Sequence, residues 1–481
     1  MAFNRIMLRT SLALGLALGL LAGCKKDAPS APAPVVVPPV TSTPTPSQYG
    51  MPFAGVPNRE DAVIYQVNMR AFSQTGNFAG VTARLDSIKA VGVNVLYLMP
   101  IYPVGATVTY ASGPAAGTHA TANSPYCVKD YRAVNPEFGT LADLRTLVDA
   151  AHARGLSVML DWVPNHTSWD NAWITAHPDW YQKNPAGAIT AVSNNGTTYA
   201  DVAQLDFTNA AMRAELISAM KSWVFTANVD GFRCDYADFQ PNDFWKQATD
   251  TLRSVRTHKL LLLAEGSRSA NFTSGFDYNF GFGFYGGINN VFRNGSAATT
   301  FDALNTSEYV GATGTQQVVR YTTNHDVNGS DGTPVALFGG NAGAMSAFVI
   351  ASLYKGIPFV YNGQEAGMTT AIPFPFTSVK VQWGAHPDVT RAYKQLLAAR
   401  AASAALRSGT PTAYSTANVC AFTKTAGTDQ AFVLANVRNT ATTYPVPAAL
   451  TGTWTNALQG GAVTVGTSIS LPPYGYMVLK K

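Results

Sequence analysis

The stretch Asp230-Gly-Phe-Arg-Cys-Asp-Tyr-Ala-Asp238 follows a helix-period segment that ends at Val229, and it reads as a short buried strand. Arg233 and Asp235 lie two apart, so a strand carries both on one face. A cation beside a carboxylate keeps it ionised, through charge pairing and through hydrogen bonds to the charged form. A carboxylate nucleophile needs that state. Taken alone, Arg-x-Asp reads as a structural ion pair at a strand end. Its company points elsewhere: Glu265 ends the next apolar strand, and Asn324-His325-Asp326 ends another.

Outward from this strand, from about Asp61 to Ala405, short apolar runs alternate with helix-period segments, which predicts a parallel sheet with crossover helices. The expected strands are Ala62–Val67, Val93–Met99, Leu156–Trp162, Gly231–Asp235, Leu260–Ala264, Phe276–Phe280, Val318–Thr323 and Ile357–Tyr361. Helical stretches between them include Val81–Val91, Leu141–Arg154, Ala211–Ala227, Asp243–Val255, Ala342–Lys355 and Val389–Ala405, while Gly-rich sequence obscures a helix after Phe280. Eight strands make a (β/α)8 barrel, whose active site lies at the C-terminal strand ends. The chain meets that condition. Asp161 and His166 follow the third strand, Arg233 and Asp235 the fourth, Glu265 the fifth, and His325 and Asp326 the seventh.

Three carboxylates on one rim, with no metal-ligand cluster and no phosphate loop in the sequence, suit glycoside hydrolysis. That reaction holds one carboxyl group protonated and another ionised. Asp235 has Arg233 beside it, whereas Glu265 follows the apolar run Leu260–Ala264, and such surroundings are expected to raise its pKa. Spacing leaves retention and inversion both open. The net charge of +5 and pI near 8.9 are mild, and the basic residues are scattered, so nucleic-acid binding is not indicated. Cys127, Cys234 and Cys420 are widely spaced, with no disulfide framework and no Cys-x-x-Cys pattern, and read as buried thiols.

Several segments in order resemble the α-amylase family of glycoside hydrolases over about Ala62 to Gly367. They are Asp161-Trp-Val-Pro-Asn-His166, Gly231-Phe-Arg-Cys-Asp235, Glu265 and Asn324-His-Asp326. Ser124-Pro-Tyr126 with Asp130-Tyr131, Val134-Asn-Pro-Glu-Phe-Gly139, Gln204-Leu-Asp206 and Gly356-Ile-Pro-Phe-Val-Tyr-Asn-Gly-Gln-Glu365 match as well. The resemblance implies a retaining mechanism on α-glucosidic bonds. Asp235 would be the nucleophile, Glu265 the general acid/base and Asp326 the third carboxylate, gripping sugar hydroxyls. It also implies that Arg233 holds Asp235 ionised, that His166 and His325 bond hydroxyls of the sugar being cleaved, and that Tyr126 stacks on that ring. Asp161 is carried among the substrate-binding residues, with a structural role on the rim as its other reading. Asn165 and Asp206 match positions that often bind a structural calcium, an ion that wants oxygen ligands. The chain departs from many relatives at Asp238-Phe239, where they have Lys-His, which puts the usual product-side sugar contacts in doubt. Asn123 stands where strictly exo-acting relatives carry Asp, which favours endo-type cleavage.

At the N-terminus, Arg5, Arg9, the apolar run Ser11–Ala22 and Leu21-Ala-Gly-Cys24 read as a secretory signal too short to cross a bilayer. Leu-Ala-Gly-Cys resembles the lipobox of bacterial lipoproteins. Cys24 would then be the lipidated first residue of an exported chain, anchored to a bacterial membrane, with the outer membrane expected. The domain expectation is a signal over 1–24, a Pro/Ala/Ser/Thr-rich linker over 25–57, a catalytic barrel over 58–405 with an inserted small domain over 167–205, and a C-terminal β-sandwich over 406–481. Trp169, Trp173, Trp180 and Tyr181 of the insertion are expected to pack it onto the barrel. Tyr414, Trp454 and Tyr474 are sugar-binding candidates in the C-terminal part, which is expected mainly to pack. The leading expectation is an α-amylase-type hydrolase of starch-like α-1,4-glucans or maltooligosaccharides. A transglycosylase or α-glucosidase is the alternative within the fold, and a non-catalytic glucan-binding lipoprotein the alternative outside it.

Overall fold

The computed structural model describes residues 46–194 and 196–481; Cys24, the signal and most of the linker lie outside the described residues. Eight parallel strands close into a barrel: β1 Ile64–Val67, β2 Val95–Leu98, β3 Ser157–Trp162, β4 Gly231–Cys234, β5 Leu261–Ala264, β6 Tyr278–Phe280, β7 Gln317–Arg320 and β8 Ile357–Tyr361. Each strand pairs with its predecessor, and β1 closes on β8 through Ile64 and Phe359.

Strand alternation divides the core into two layers. Tyr97, Met159, Leu261, Leu263, Tyr278 and Phe359 fill the barrel interior, whereas Leu160, Trp162, Phe232, Cys234, Leu262 and Ala264 pack outward against the helices. The period of two therefore turns Asp161, Arg233 and the residues at 235 and 265 inward.

Helix ends follow local chemistry. Thr140 and Asp143 form a capping box for Leu141–His152, and Asn209 caps Ala210–Ala227, which ends at Asn228 in the left-handed region (φ 56°). Two expected helices are each broken in two. Phe78–Thr82 and Leu85–Val91 replace the first, and Ser403 caps a new short helix, Ala404–Ser408, after Pro387–Ala402. The helix hidden by glycines is Phe282–Phe292.

Between β3 and its helix, His166–Ser168, Thr197–Gln204 and Ala191–Asn194 form a small antiparallel sheet. Trp169, Trp180 and Tyr181 are buried in it, and the half-buried Trp173 stacks on Tyr131 at 5.3 Å, so these rings pack the insertion onto the barrel. After Ser408 come a six-stranded antiparallel sheet and a two-stranded one, Thr442–Pro445 with Ser468–Leu471. Val419, Phe432, Tyr444, Trp454 and Leu471 share one core between them. The other face of the large sheet, with Phe422, Val433 and Val478, joins the barrel's outer core against Gly340–Leu353. Trp454 and Tyr474 are buried, which removes them as sugar contacts.

Candidate active site

The barrel register gathers the rim residues. Asp161 of β3 lies opposite Arg233 of β4, and Arg233 opposite Leu263 of β5. The ladder then runs on past the strands: Asp235 N–H donates to Trp162 O (2.8 Å) and Glu265 N–H to Cys234 O (2.9 Å). Two carboxylates so end up beside one arginine. His325 and Asp326 open a short helix, His325–Ser330, whose cap Asn324 accepts from Asp326 N–H and Val327 N–H.

Arg233 is the hub. Its side chain is 1% exposed, and its guanidinium meets Asp161 Oδ1 at 2.7 Å, Asp235 Oδ1 at 2.8 Å and Glu265 Oε1 at 2.5 Å. Asp161 is fully closed from solvent, and its other oxygen accepts from Tyr97 OH (2.5 Å) and Tyr126 OH (2.9 Å). Asp161 and Arg233 thus lie buried against each other, beneath the more open Asp235, Glu265 and Asp326. The apolar run before Glu265 turns away from it or lies deeper in the barrel, and the charged neighbour comes from β4, the strand alongside.

Burial pushes the carboxyl of Asp235 well above the usual range; Arg233 opposes this, while Glu265, Asp161 and Asp326 add to it. One guanidinium is thus shared among Asp161, Asp235 and Glu265. Asp235 and Glu265 are only 14% and 13% exposed, against 46% for Asp326, which stands open to a ligand's hydroxyls.

His325 is buried, with Gln66 Nε2 2.7 Å from its Nδ1 and with Tyr126 OH and Asp326 Oδ1 at 2.7 and 3.2 Å from its Nε2. An amide –NH2 can only donate, so Nδ1 accepts and Nε2 carries the hydrogen. His166 Nε2 lies 3.0 Å from Tyr126 O. Burial holds both imidazoles down at about 4, hence neutral at pH 7. Tyr126 is half-buried, its ring parallel to His325 at 5.3 Å. Tyr131 OH, 2.8 and 2.6 Å from Val163 O and His166 O, fixes the turn that presents His166. Sequence reasoning missed Gln66 and Tyr97. The available signal was a polar group inside an otherwise apolar strand, Ile-Tyr-Gln-Val and Val-Leu-Tyr-Leu.

On the Glu265 side, Tyr236 N–H donates to Glu265 Oε2 (2.8 Å), and the Tyr236 ring stacks on Phe239 at 3.7 Å. Phe239 is 53% exposed, which leaves an open aromatic face in the loop after β4.

Asn165 and Asp206, the residues expected to hold calcium, are hydrogen-bonded within the chain. Asn165 Oδ1 accepts from Gln204 Nε2 and Gln240 Nε2 at 3.2 and 3.1 Å, while Asp206 Oδ1 accepts from Thr208 N–H and Oγ1–H at 2.9 and 2.8 Å. Among the described residues no group of three or more His, Cys, Asp or Glu side chains could hold a metal ion.

Comparison with known proteins adds to this geometry. The family described as "Alpha amylase, catalytic domain" matches residues 58–187 and 196–436. The chain is 27% identical over 323 residues to alpha-amylase MalA of Haloarcula japonica, covering 64% of this chain and 44% of that protein. It is 32% identical over 199 residues to the alpha-1,4-glucan:maltose-1-phosphate maltosyltransferase of Rhodospirillum rubrum, 40% of this chain and 28% of that one. The chain thus spans less than half the length of either curated relative. Among solved structures, an alpha-amylase from Lactobacillus plantarum superposes with a TM-score of 0.75 at 28% identity, over 88% of this chain and 99% of that one.

Proposed function

The chain belongs to the α-amylase family of glycoside hydrolases, and within it we propose a retaining hydrolase of α-1,4-glucosidic bonds in starch-like glucans and maltooligosaccharides. The supporting observation is that Arg233 gathers Asp161, Asp235 and Glu265 on the C-terminal rim, with Asp326 open beside them. A guanidinium bridging Asp235 and Glu265 favours the shorter of the two carboxylate separations that glycosidases use, the one belonging to retention.

In this reading Asp235 attacks the anomeric carbon while Glu265 gives its proton to the glycosidic oxygen. The bond to that oxygen breaks, and the leaving chain departs with the proton. A water molecule then yields a proton to Glu265, and its oxygen displaces Asp235 from the anomeric carbon, which restores both groups and the α-configuration. Neutral His325 and His166 and the open Asp326 carboxylate bond sugar hydroxyls, and Tyr126 packs on the ring. Asp161 fixes the direction of Arg233.

One observation favours a second reading, transfer to an acceptor sugar. Glu265 stands where the leaving chain departs, and the exposed Phe239, stacked on the Tyr236 whose N–H bonds Glu265, offers a face for the C–H face of an acceptor. We propose as well that the protein is exported and held on a bacterial membrane through lipid on Cys24, with the barrel reaching glucan from that anchor.

The test is a time course of products from soluble starch and from maltooligosaccharides of defined length, with Asp235→Asn as control. A rapid fall in polymer size with mixed short products is expected. Glucose alone would indicate an exo-glucosidase, products longer than the substrate a transferase, and no turnover a glucan-binding protein. Asp235→Asn is expected to lose on the order of 10⁴-fold or more in kcat with glucan binding kept; unchanged hydrolysis would remove Asp235 as nucleophile.

A further inference from the structure

Side-chain amides hold the corner where the insertion returns to the barrel. Gln204 ends the long strand of the insertion, opposite His166, and Asn165 ends the turn after β3. Gln204 Nε2 lies 3.0 Å from Asn165 O, 3.2 Å from Asn165 Oδ1 and 3.2 Å from Leu205 O. From the loop after β4, the buried Gln240 donates its own amide to the same Asn165 Oδ1 at 3.1 Å. An amide nitrogen has two hydrogens, yet three oxygens from two residues surround this one. Such an oxygen-only shell is what a hard cation takes. Here a neutral donor sits at its centre.

The shell also lacks the charge that a calcium site needs. Its oxygens are two backbone carbonyls and one side-chain amide, and the nearby carboxylate, Asp206, turns Oδ1 to the N–H and hydroxyl of Thr208. Affinity for calcium rises with the number of charged ligands. Uncharged oxygens are matched instead by a neutral donor, which costs far less to bury than an ion.

We propose that the Gln204 amide takes the place of a structural cation at this corner, tying the insertion to β3 and, through Asn165 and Gln240, to the loop that follows Asp235. The docking of the insertion, and with it the positions of His166 and that loop, then needs no divalent ion. A carboxylate at position 204 would convert the same shell into one that requires a cation. This inference stands apart from the choice of glucan substrate.

Thermal unfolding of the full-length protein in excess EDTA and in excess CaCl2 tests it. The wild type is expected to melt at the same temperature in both, within about 1 °C. Gln204→Leu should lower Tm by roughly 3 °C or more in both, because it removes the side-chain donor to Leu205 O and leaves Asn165 O and Oδ1 with Leu205 N–H and Gln240 Nε2 alone. Gln204→Asp should melt early in EDTA and regain its Tm saturably with calcium. A wild-type Tm that falls on chelation and returns with calcium would overturn the proposal, as would Gln204→Leu melting like wild type. Should the variants not fold, calorimetric titration of EDTA-stripped wild type with CaCl2 decides. No saturable heat is expected. One-site binding, recruiting Gln240 Oε1, which is buried without a partner, would overturn it.

Discussion

His325 illustrates how a single residue is set by its surroundings. In the unfolded chain its pKa is about 6.5, and in the fold burial holds it at about 4. Between those values the unfolded chain binds a proton that the folded chain refuses, so stability is complete above about 6.5 and falls as pH drops towards 4. His166, held at about 4 for the same reason, adds a loss of the same sign. Asp161 and Asp235 pull the other way, because burial raises their pKa and makes the fold the better proton acceptor. A variant isolates the imidazole: in a pH series of denaturant midpoints, His325→Gln is expected to show a shallower fall between 6.5 and 4 than wild type. Phe239 poses a separate question. If its exposed face stacks an acceptor sugar, Phe239→Ala removes about 1 kcal/mol of stacking, and the ratio of transfer to hydrolysis on maltooligosaccharides drops roughly fivefold. An unchanged ratio would leave the transfer reading without support.

Helix Gly340–Leu353 is buried along nearly its whole length because it is covered on both sides, by the barrel and by the C-terminal sheet. Its apolar run from Ala344 to Leu353 shows no one-sided stripe, as expected for a helix with no solvent face. Ser346 Oγ–H donates to Asn436 O at 2.9 Å, and Tyr354, which follows the helix, stacks on Phe422 of the sheet at 4.1 Å. Lys424, two residues on, is buried as well and donates Nζ to Leu406 O at 2.8 Å. The C-terminal sheet is therefore a wall of the barrel's outer core and not a pendant module. Phe422→Ala, which empties a fully buried ring position, is expected to destabilise the protein by about 3–5 kcal/mol in chemical unfolding, with kcat on soluble starch unchanged at a temperature where the variant is folded.

At the scale of the whole molecule, the proposed anchor on Cys24 would be separable from the barrel. Acyl chains on Cys24 would contribute about 0.8 kcal/mol per buried CH2 to membrane attachment. Cys24→Ala is expected to move the protein from the membrane pellet to the soluble fraction without changing its turnover of starch. Wild type already soluble after fractionation would remove the anchor. The rim, by contrast, is not separable from the rest, because its residues come from β1, β2, β3 and β4 and the segments after β2, β4, β5 and β7, and they meet only when the barrel closes.

The amino-acid sequence by itself determined the barrel and the residues at its mouth. Strand and helix periods are local, eight strands set the architecture, and a period of two with the C-terminal-end rule marks Asp161, Arg233, Asp235, Glu265, His325 and Asp326 without coordinates. Helix breaks at Arg84 and Ser403 escaped because the apolar pattern runs across them. Only the tertiary structure decided how the charges are shared. Arg233 serves Glu265, from 32 positions further along the chain, as well as its own neighbour; Gln66 sets the tautomer of His325 from 259 positions away; and Gln204, which reads only as part of a family segment, places a neutral amide among the oxygens. The physical reason is that a hydrogen bond depends on distance in space, and at these separations along the chain that distance is fixed by strand register and barrel closure, which no local pattern carries.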